Sequence, residues 1–85
     1  MTTPVLMYSK NNCAYCTRAK QLFNRKKISI IEKNVDEHPD LLAEMLDRSG
    51  GRRTLPQIFI NDKHIGGCDD LYALDQQGKL DILFK

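Results

Sequence analysis

The first 35 residues place the strongest constraint on the fold, because two short apolar segments there flank one amphipathic segment. "PVLMYS" (4–9) is apolar and "ISIIEKNV" (28–35) is rich in β-branched residues, so both are predicted strands. Between them, apolar residues recur at helical spacing from Ala14, and "RKK" (25–27) is expected in the last turn of that helix. A strand, a helix and a strand with short connections predict a right-handed unit with parallel strands.

The next segment predicts a second helix and a hairpin. Pro39 suits the first position of a helix, and "SGG" (49–51) ends it. The apolar stripe expected to be buried on this helix consists of Leu41, Leu42, Met45 and Leu46. "QIFI" (57–60) and "KHI" (63–65) flank a short "ND" turn, which predicts two antiparallel strands.

The last segment adds a third helix, with an acidic start at Asp69 and Asp70 and a C-terminal cap at Gly78. "LDILFK" (80–85) is expected to add one more helical turn. The predicted fold is therefore α/β, in the order βαβ-α-ββ-α, with a four-stranded mixed sheet flanked by helices. A chain of 85 residues has room for one such domain, residues 1–85.

Composition narrows the cellular context. The apolar runs are only a few residues long, so a membrane partner is not expected. No secretory signal is visible at the N-terminus, so a cytoplasmic location is expected. Three cysteines are too few for a disulfide-stapled secreted scaffold, which leaves a redox or metal role for a Cys-x-x-Cys pair.

The net charge of +2 is unevenly distributed. Residues 1–33 contain seven Lys and Arg but one acid, whereas the remainder contains six Lys and Arg and ten acids. The basic part surrounds Cys13 and Cys16, and such a field favours thiolates and small anionic ligands. Basic and aromatic residues are not interleaved, so a nucleic-acid partner is not expected.

The segment "NNCAYC" places Cys13 where the first strand gives way to the first helix. Unpaired amides in the first helical turn stabilise a thiolate there, so Cys13 is the predicted nucleophile. Cys16 lies one turn further along the apolar stripe, where a buried thiol can attack a mixed disulfide formed on Cys13.

Two further motifs predict a ligand site. In "TLPQIFI" a cis Leu55–Pro56 bond would expose the backbone of Leu55 to a peptide-like substrate, although an ordinary trans proline at a strand edge is the alternative. In "GGCDD" the glycines lead into a helix whose N–H groups can bind an anion, and Asp69 can accept from an ammonium group.

These three motifs in this order resemble glutaredoxins, the thioredoxin-fold thiol–disulfide oxidoreductases that use glutathione. The similarity covers nearly the whole chain and is closest to short bacterial dithiol members. It implies a thioredoxin-like fold, a monomer, glutathione as co-substrate and no tightly bound cofactor. It also implies that disulfide-containing or glutathionylated proteins are partners, with ribonucleotide reductase as one example, and that Cys13 attacks while Cys16 resolves.

By the same resemblance, the family's glutathione contacts fall on seven positions of this chain: Lys10, Tyr15, Thr54, Leu55, Pro56, Cys68 and Asp69. Arg52 or Arg53 is expected to reach the glycine carboxylate, and the sequence does not choose between them. Ala14 stands where the dithiol family usually has proline, which predicts altered Cys13 acidity and redox poise, testable by Ala14→Pro. Loss of this proline is also associated in the family with an iron–sulfur cluster bridging two subunits, a minority alternative here.

Two other readings remain open. Cys13, Cys16, His64 and Cys68 form a legal tetrahedral zinc set, but the 47 residues between its halves exceed the usual spacing. A binding module with an idle cysteine pair is the other reading.

Several residues near these motifs are given structural rather than catalytic roles. Cys68 is either a redox-sensitive thiol or a small half-buried residue lining the site. His38 and His64 receive no catalytic role, and Tyr8 and Tyr72 are expected to be core or rim aromatics.

Overall fold

The computed structural model describes residues 3–84. Its four strands are β1 (Val5–Ser9), β2 (Ile31–Asn34), β3 (Gln57–Ile60) and β4 (Lys63–Gly66). Its four helices are α1 (Ala14–Arg25), α2 (Asp40–Arg48), α3 (Cys68–Gln76) and α4 (Lys79–Ile82). The element order is the predicted one, and α4 is the expected final helical turn. Lys85, the last residue of the segment predicted to form that turn, lies outside the described residues.

The four strands form one mixed sheet in the order β2-β1-β3-β4. The β1 strand runs parallel to β2 and antiparallel to β3, and β3 pairs antiparallel with β4. At the tip of the hairpin Asn61 and Asp62 both have positive φ, at 53° and 65°. Two positive φ values are characteristic of the type I′ turn that joins many two-residue hairpins, so the "ND" prediction is confirmed.

The sheet separates two apolar clusters. Val5, Met7, Ile58 and Ile60 point to the face covered by α1, α3 and α4, whereas Tyr8 and Phe59 point to the opposite face, where they pack against Met45 of α2. This alternation follows from the two-residue period of a strand. The predicted placement of helices on both faces is confirmed.

The predicted start of the second strand was wrong by three residues. The chain leaves α1 through Lys27, whose φ is +58°, and the Ile28 N–H then donates to the Phe23 carbonyl at 2.9 Å. Ile28 therefore closes the helix, and pairing of the second strand with β1 begins only at Ile31. The β2 strand begins at Ile31, which is 60% exposed because this strand is at the edge of the sheet.

Two helix boundaries also differ from prediction. Lys26 and Lys27 lie beyond the end of α1, where Lys26 pairs with Asp75 and Asp81 at 2.7 and 2.9 Å. Pro39 precedes α2 as its N-cap residue rather than occupying the first helical position.

On α2, Met45 is fully buried, whereas Leu41, Leu42 and Leu46 are half-buried. In the described chain α2 alone packs on its face of the sheet, so only its central residue is enclosed. Among residues 3–84, none of the helices has the length and apolar character needed to cross a membrane.

A charged network fastens α2 to the sheet. The buried Tyr8 hydroxyl donates to the Glu44 carboxylate, which also accepts from Lys33 at 2.9 Å. The Tyr8 and Lys33 hydrogen bonds lower the pKa of Glu44 below its ordinary value of 4.5. Because folding lowers this pKa, the contribution of Glu44 to stability is complete above about pH 4.5 and is lost as pH falls through the folded-state value.

Glu44→Gln is therefore expected to flatten the acid side of the stability profile. Wild type should lose more free energy of unfolding between pH 7 and pH 3 than the variant, as measured by urea denaturation. Glu37→Gln, at an exposed glutamate that precedes α2, is the matched control and should follow wild type. Equal acid sensitivity of Glu44→Gln and wild type would contradict the assignment.

Candidate active site

An asparagine-rich turn positions the first cysteine. Asn12 has φ of +55°, a conformation that asparagine tolerates better than most residues. The Asn11 N–H donates to Asp36 at 3.0 Å, and the Asn34 amide donates to the Asn11 side chain at 3.0 Å. The turn is thus tied to the end of β2. The "NN" pair signalled a turn, but its partners lie more than twenty residues away and were not predicted.

Cys13 occupies the N-cap of α1, as the sequence predicted. Its backbone is extended, with φ of −111° and ψ of 106°, and its Sγ accepts the Cys16 N–H at 3.2 Å. The Cys13 carbonyl accepts the Thr17 N–H at 3.1 Å and so begins the helix. An N-cap side chain normally satisfies a free first-turn amide, and a sulfur in that position is stabilised as a thiolate.

The two cysteines of the motif are joined in a disulfide, with their Cα atoms 5.2 Å apart. They differ in access to solvent: Cys13 is half-buried at the surface, whereas Cys16 is 2% exposed within the cluster under α1. An incoming disulfide can reach the first sulfur but not the second. The predicted burial of Cys16 is confirmed.

A groove of about 470 Å³ lies beside this pair. Six of the seven residues assigned to glutathione by resemblance line it: Tyr15, Thr54, Leu55, Pro56, Cys68 and Asp69. The Leu55–Pro56 bond is cis, the first of the two alternatives that the sequence left open, and the Leu55 carbonyl oxygen is 4.0 Å from Cys13 Sγ. The groove is therefore adjacent to the reactive sulfur.

The seventh residue, Lys10, lies apart from this groove. It is exposed and lines a separate depression of about 570 Å³ that also borders Cys13 and Glu32. The basic field near the cysteines is weaker than the sequence suggests, because Glu32 binds Lys20 at 3.0 Å. The Ser9 hydrogen bond, and then Lys20, lower the pKa of the Glu32 carboxyl against the effect of its burial.

The two candidate arginines differ in their position relative to the groove. Arg52 lines the groove, whereas Arg53 is exposed and is not among the residues lining it. Arg52 is 3.7 Å from the Asp70 carboxylate, which in turn accepts the Gly67 N–H at 2.9 Å at the start of α3. Sequence reasoning treated Asp70 only as a helix-start residue. Its spacing from Gly67 is the capping signal that could have identified its role.

Cys68 is buried beside the groove, and His64 is hydrogen-bonded to a buried side chain. Cys68 is a free thiol, 4% exposed, and burial raises its pKa, with Arg18 opposing the shift. It is thus buried rather than half-buried, and it lines the groove as the second of its two readings expected. His64 Nε2 is 2.7 Å from the Gln57 amide oxygen. Between residues 3 and 84, no three His, Cys, Asp or Glu side chains converge on a metal position, so the proposed zinc set is not assembled.

A four-stranded mixed sheet with a Cys-x-x-Cys pair at the start of its first helix defines a dithiol thiol–disulfide oxidoreductase of the thioredoxin fold. A family model described as Glutaredoxin matches residues 5–65. Glutaredoxin 3 of Escherichia coli strain K12 is 53% identical over 81 residues, which is 95% of this chain and 96% of that protein. The chain belongs to the glutaredoxin family.

Solved structures agree with this assignment. The solution structure of glutaredoxin from Brucella melitensis is 51% identical, with a TM-score of 0.84, covering 99% of this chain and 90% of that one. The crystal structure of a buckwheat glutaredoxin–glutathione complex is 35% identical, with a TM-score of 0.88, covering 96% and 76%. The fold and the enzyme class predicted from the sequence are confirmed.

Proposed function

We propose that this glutaredoxin reduces glutathione mixed disulfides and protein disulfides, with Cys13 as nucleophile, Cys16 as resolving thiol and glutathione as co-substrate. The observation that carries the proposal is the accessible Cys13 sulfur at the α1 N-cap, beside a groove lined by the cis-proline turn and the start of α3. The structurally similar buckwheat protein, a glutaredoxin–glutathione complex, supports glutathione as the occupant of this groove.

The chemistry of the groove is complementary to that of glutathione. The tripeptide has two carboxylates and one ammonium group, and the groove offers the Arg52 guanidinium, the first-turn amides of α3 and the Asp69 carboxylate. The backbone of Leu55 is available to pair with the extended peptide. Tyr15, 54% exposed, provides a ring at the mouth, and Lys10 approaches from the other side of Cys13.

The reaction is a sequence of thiolate exchanges. The Cys13 thiolate attacks the glutathione sulfur of a mixed disulfide, and the partner thiolate leaves and takes up a proton. A second glutathione thiolate then attacks that sulfur, which releases oxidised glutathione and restores Cys13. With a protein disulfide, Cys16 displaces the partner instead, and two glutathione molecules reduce the resulting Cys13–Cys16 bond.

The Cys16→Ser variant, oxidised with glutathione, should trap the Cys13–glutathione mixed disulfide. Mass spectrometry should show one added glutathione, and NMR cross-peaks should connect it to Tyr15, Thr54 and Asp69. The same treatment of Cys13→Ser is the control and should give no adduct in this groove. A trapped glutathione without cross-peaks to groove residues would contradict the assigned contacts.

The finer partner assignments belong to the same proposal. We expect a cytoplasmic monomer that acts on glutathionylated or disulfide-containing proteins, among which ribonucleotide reductase is a candidate. The effect of Ala14 on Cys13 acidity stays a prediction, as does the iron–sulfur alternative. Anaerobic reconstitution that leaves a colourless monomer would remove that alternative.

A further inference from the structure

Gln57 is a buried polar residue immediately behind the cis-proline turn. Its side-chain Nε2 lies 2.8 Å from the Thr54 carbonyl oxygen and 3.0 Å from the Thr54 hydroxyl oxygen. Its amide oxygen lies 2.7 Å from His64 Nε2. Gln57 is fully buried and Thr54 is exposed at the groove, so this contact links the interior to the ligand site.

The donor and acceptor roles in this chain of contacts are fixed by the Thr54 carbonyl. A carbonyl oxygen can only accept, so the NH₂ end of the Gln57 amide faces Thr54 and its oxygen faces His64. The amide oxygen likewise only accepts, so His64 Nε2 carries a proton. Burial, followed by the charge of Arg52, lowers the pKa of His64. Its neutral form near pH 7 must then be the Nε2–H tautomer.

The histidine ring is itself held in place. It stacks on Phe59 with ring centroids 4.9 Å apart and an interplanar angle of 29°. Phe59 lies in the cluster beneath α2, and the Arg48 guanidinium covers it at 4.7 Å from the ring centroid. The position of the Gln57 amide therefore depends on side chains that pack on the sheet face covered by α2.

This arrangement determines what the Thr54 hydroxyl can do. Its oxygen accepts from Gln57 on the inner side, so its own proton is free to point outward into the groove. A hydroxyl polarised in this way is a donor, and a donor at an exposed position beside Arg52 suits a carboxylate.

We propose that Gln57 and His64 are positioning residues that orient the Thr54 hydroxyl as a hydrogen-bond donor to a carboxylate of the bound glutathione moiety. The proposal rests on the proposed function, which places glutathione in this groove. It adds a second contact that recognises the glutathione carboxylate, a hydrogen bond from the Thr54 hydroxyl, in addition to the positive charge of Arg52.

Steady-state kinetics with the cysteine–glutathione mixed disulfide, at fixed saturating glutathione, test this role. Gln57→Met and Thr54→Val should each raise the KM for the mixed disulfide by about tenfold, the loss of one hydrogen bond to a charged group, and leave kcat within about twofold. The double variant should show the same tenfold rise, because both changes remove one interaction. Thr54→Ser, which keeps the hydroxyl, should restore the wild-type KM.

Gln76→Met, at an exposed glutamine of α3, is the matched control and should leave KM unchanged. A roughly hundredfold rise in the double variant, or a wild-type KM in Gln57→Met, would overturn the proposal. Wild type without activity on this disulfide would instead overturn the proposed function.

NMR of the wild-type protein provides a readout that does not depend on a variant folding. Long-range ¹⁵N–¹H correlation of His64 should show a protonated Nε2 and an unprotonated Nδ1 above the titration of the ring. If the Nδ1–H tautomer were observed, His64 Nε2 could not donate to the Gln57 amide oxygen. The proposed orientation of the Thr54 hydroxyl through His64 and Gln57 would then be wrong.

Discussion

Replacing Cys13 by serine is expected to reduce activity on glutathione mixed disulfides by a factor on the order of 10³ or more. A serine hydroxyl remains protonated near neutral pH even where the first-turn amides of α1 would hold a thiolate. Cys16 cannot take over the attack, because it is 2% exposed. Cys16→Ser should keep mixed-disulfide reduction within about fivefold of wild type, since a second glutathione can resolve the intermediate.

A glutathione-coupled assay on wild type and both variants, with a mixed disulfide and a protein disulfide as substrates, distinguishes the two roles. Cys16→Ser should lose most of its activity on the protein disulfide, because a second intramolecular thiol is missing. The reverse pattern, with Cys16→Ser the less active variant on mixed disulfides, would overturn the assignment. Circular dichroism of each variant checks that any loss of activity is not a loss of fold.

Features fixed by short-range pattern were predictable from the sequence. The "ND" hairpin, the Cys13 N-cap and the start of α3 each depend on residues adjacent in the chain. The start of β2 was not predictable in this way. The β-branched Ile28 and Ile30 favour a strand, but the left-handed turn at Lys27 directs the Ile28 N–H to the Phe23 carbonyl at the end of α1. The β-strand propensity of residues 28–35 indicates that a strand lies in this segment, but the preceding turn at Lys27 determines where its pairing with β1 begins.

The site shows the same division. The cysteine positions, their roles as nucleophile and resolving thiol, and the groove motifs could be inferred from the sequence, whereas glutathione as the ligand came from family resemblance. The position of Arg52 rather than Arg53 in the groove, the separation of Lys10 from the groove, and the contacts of Gln57 and Asp70 required the structure. Each depends on which strand or helix lies opposite, and these contacts join segments that sequence pattern treats independently.

Gly66→Ala is expected to cost about 2–4 kcal/mol of the free energy of unfolding. Gly66 ends β4 with φ of +119°, where a side chain is strained by about 1–3 kcal/mol. A Cβ there would also overlap the Asp70 carboxylate, which caps α3 by accepting from the Gly67 N–H. Loss of such a cap costs about 1 kcal/mol more. Urea denaturation measures the change.

Gly78→Ala is the comparison variant that measures backbone strain without steric overlap of the added Cβ. Gly78 also has positive φ, +73°, but an added Cβ would meet nothing within 4 Å, so its cost should be only about 1 kcal/mol. In an Asp70→Ala background the overlapping carboxylate is absent, and Gly66→Ala should then cost nearly 1 kcal/mol less than it does in wild type. Equal costs of Gly66→Ala in the two backgrounds would show that the Asp70 cap tolerates a neighbouring side chain, because the backbone alone would then account for the loss.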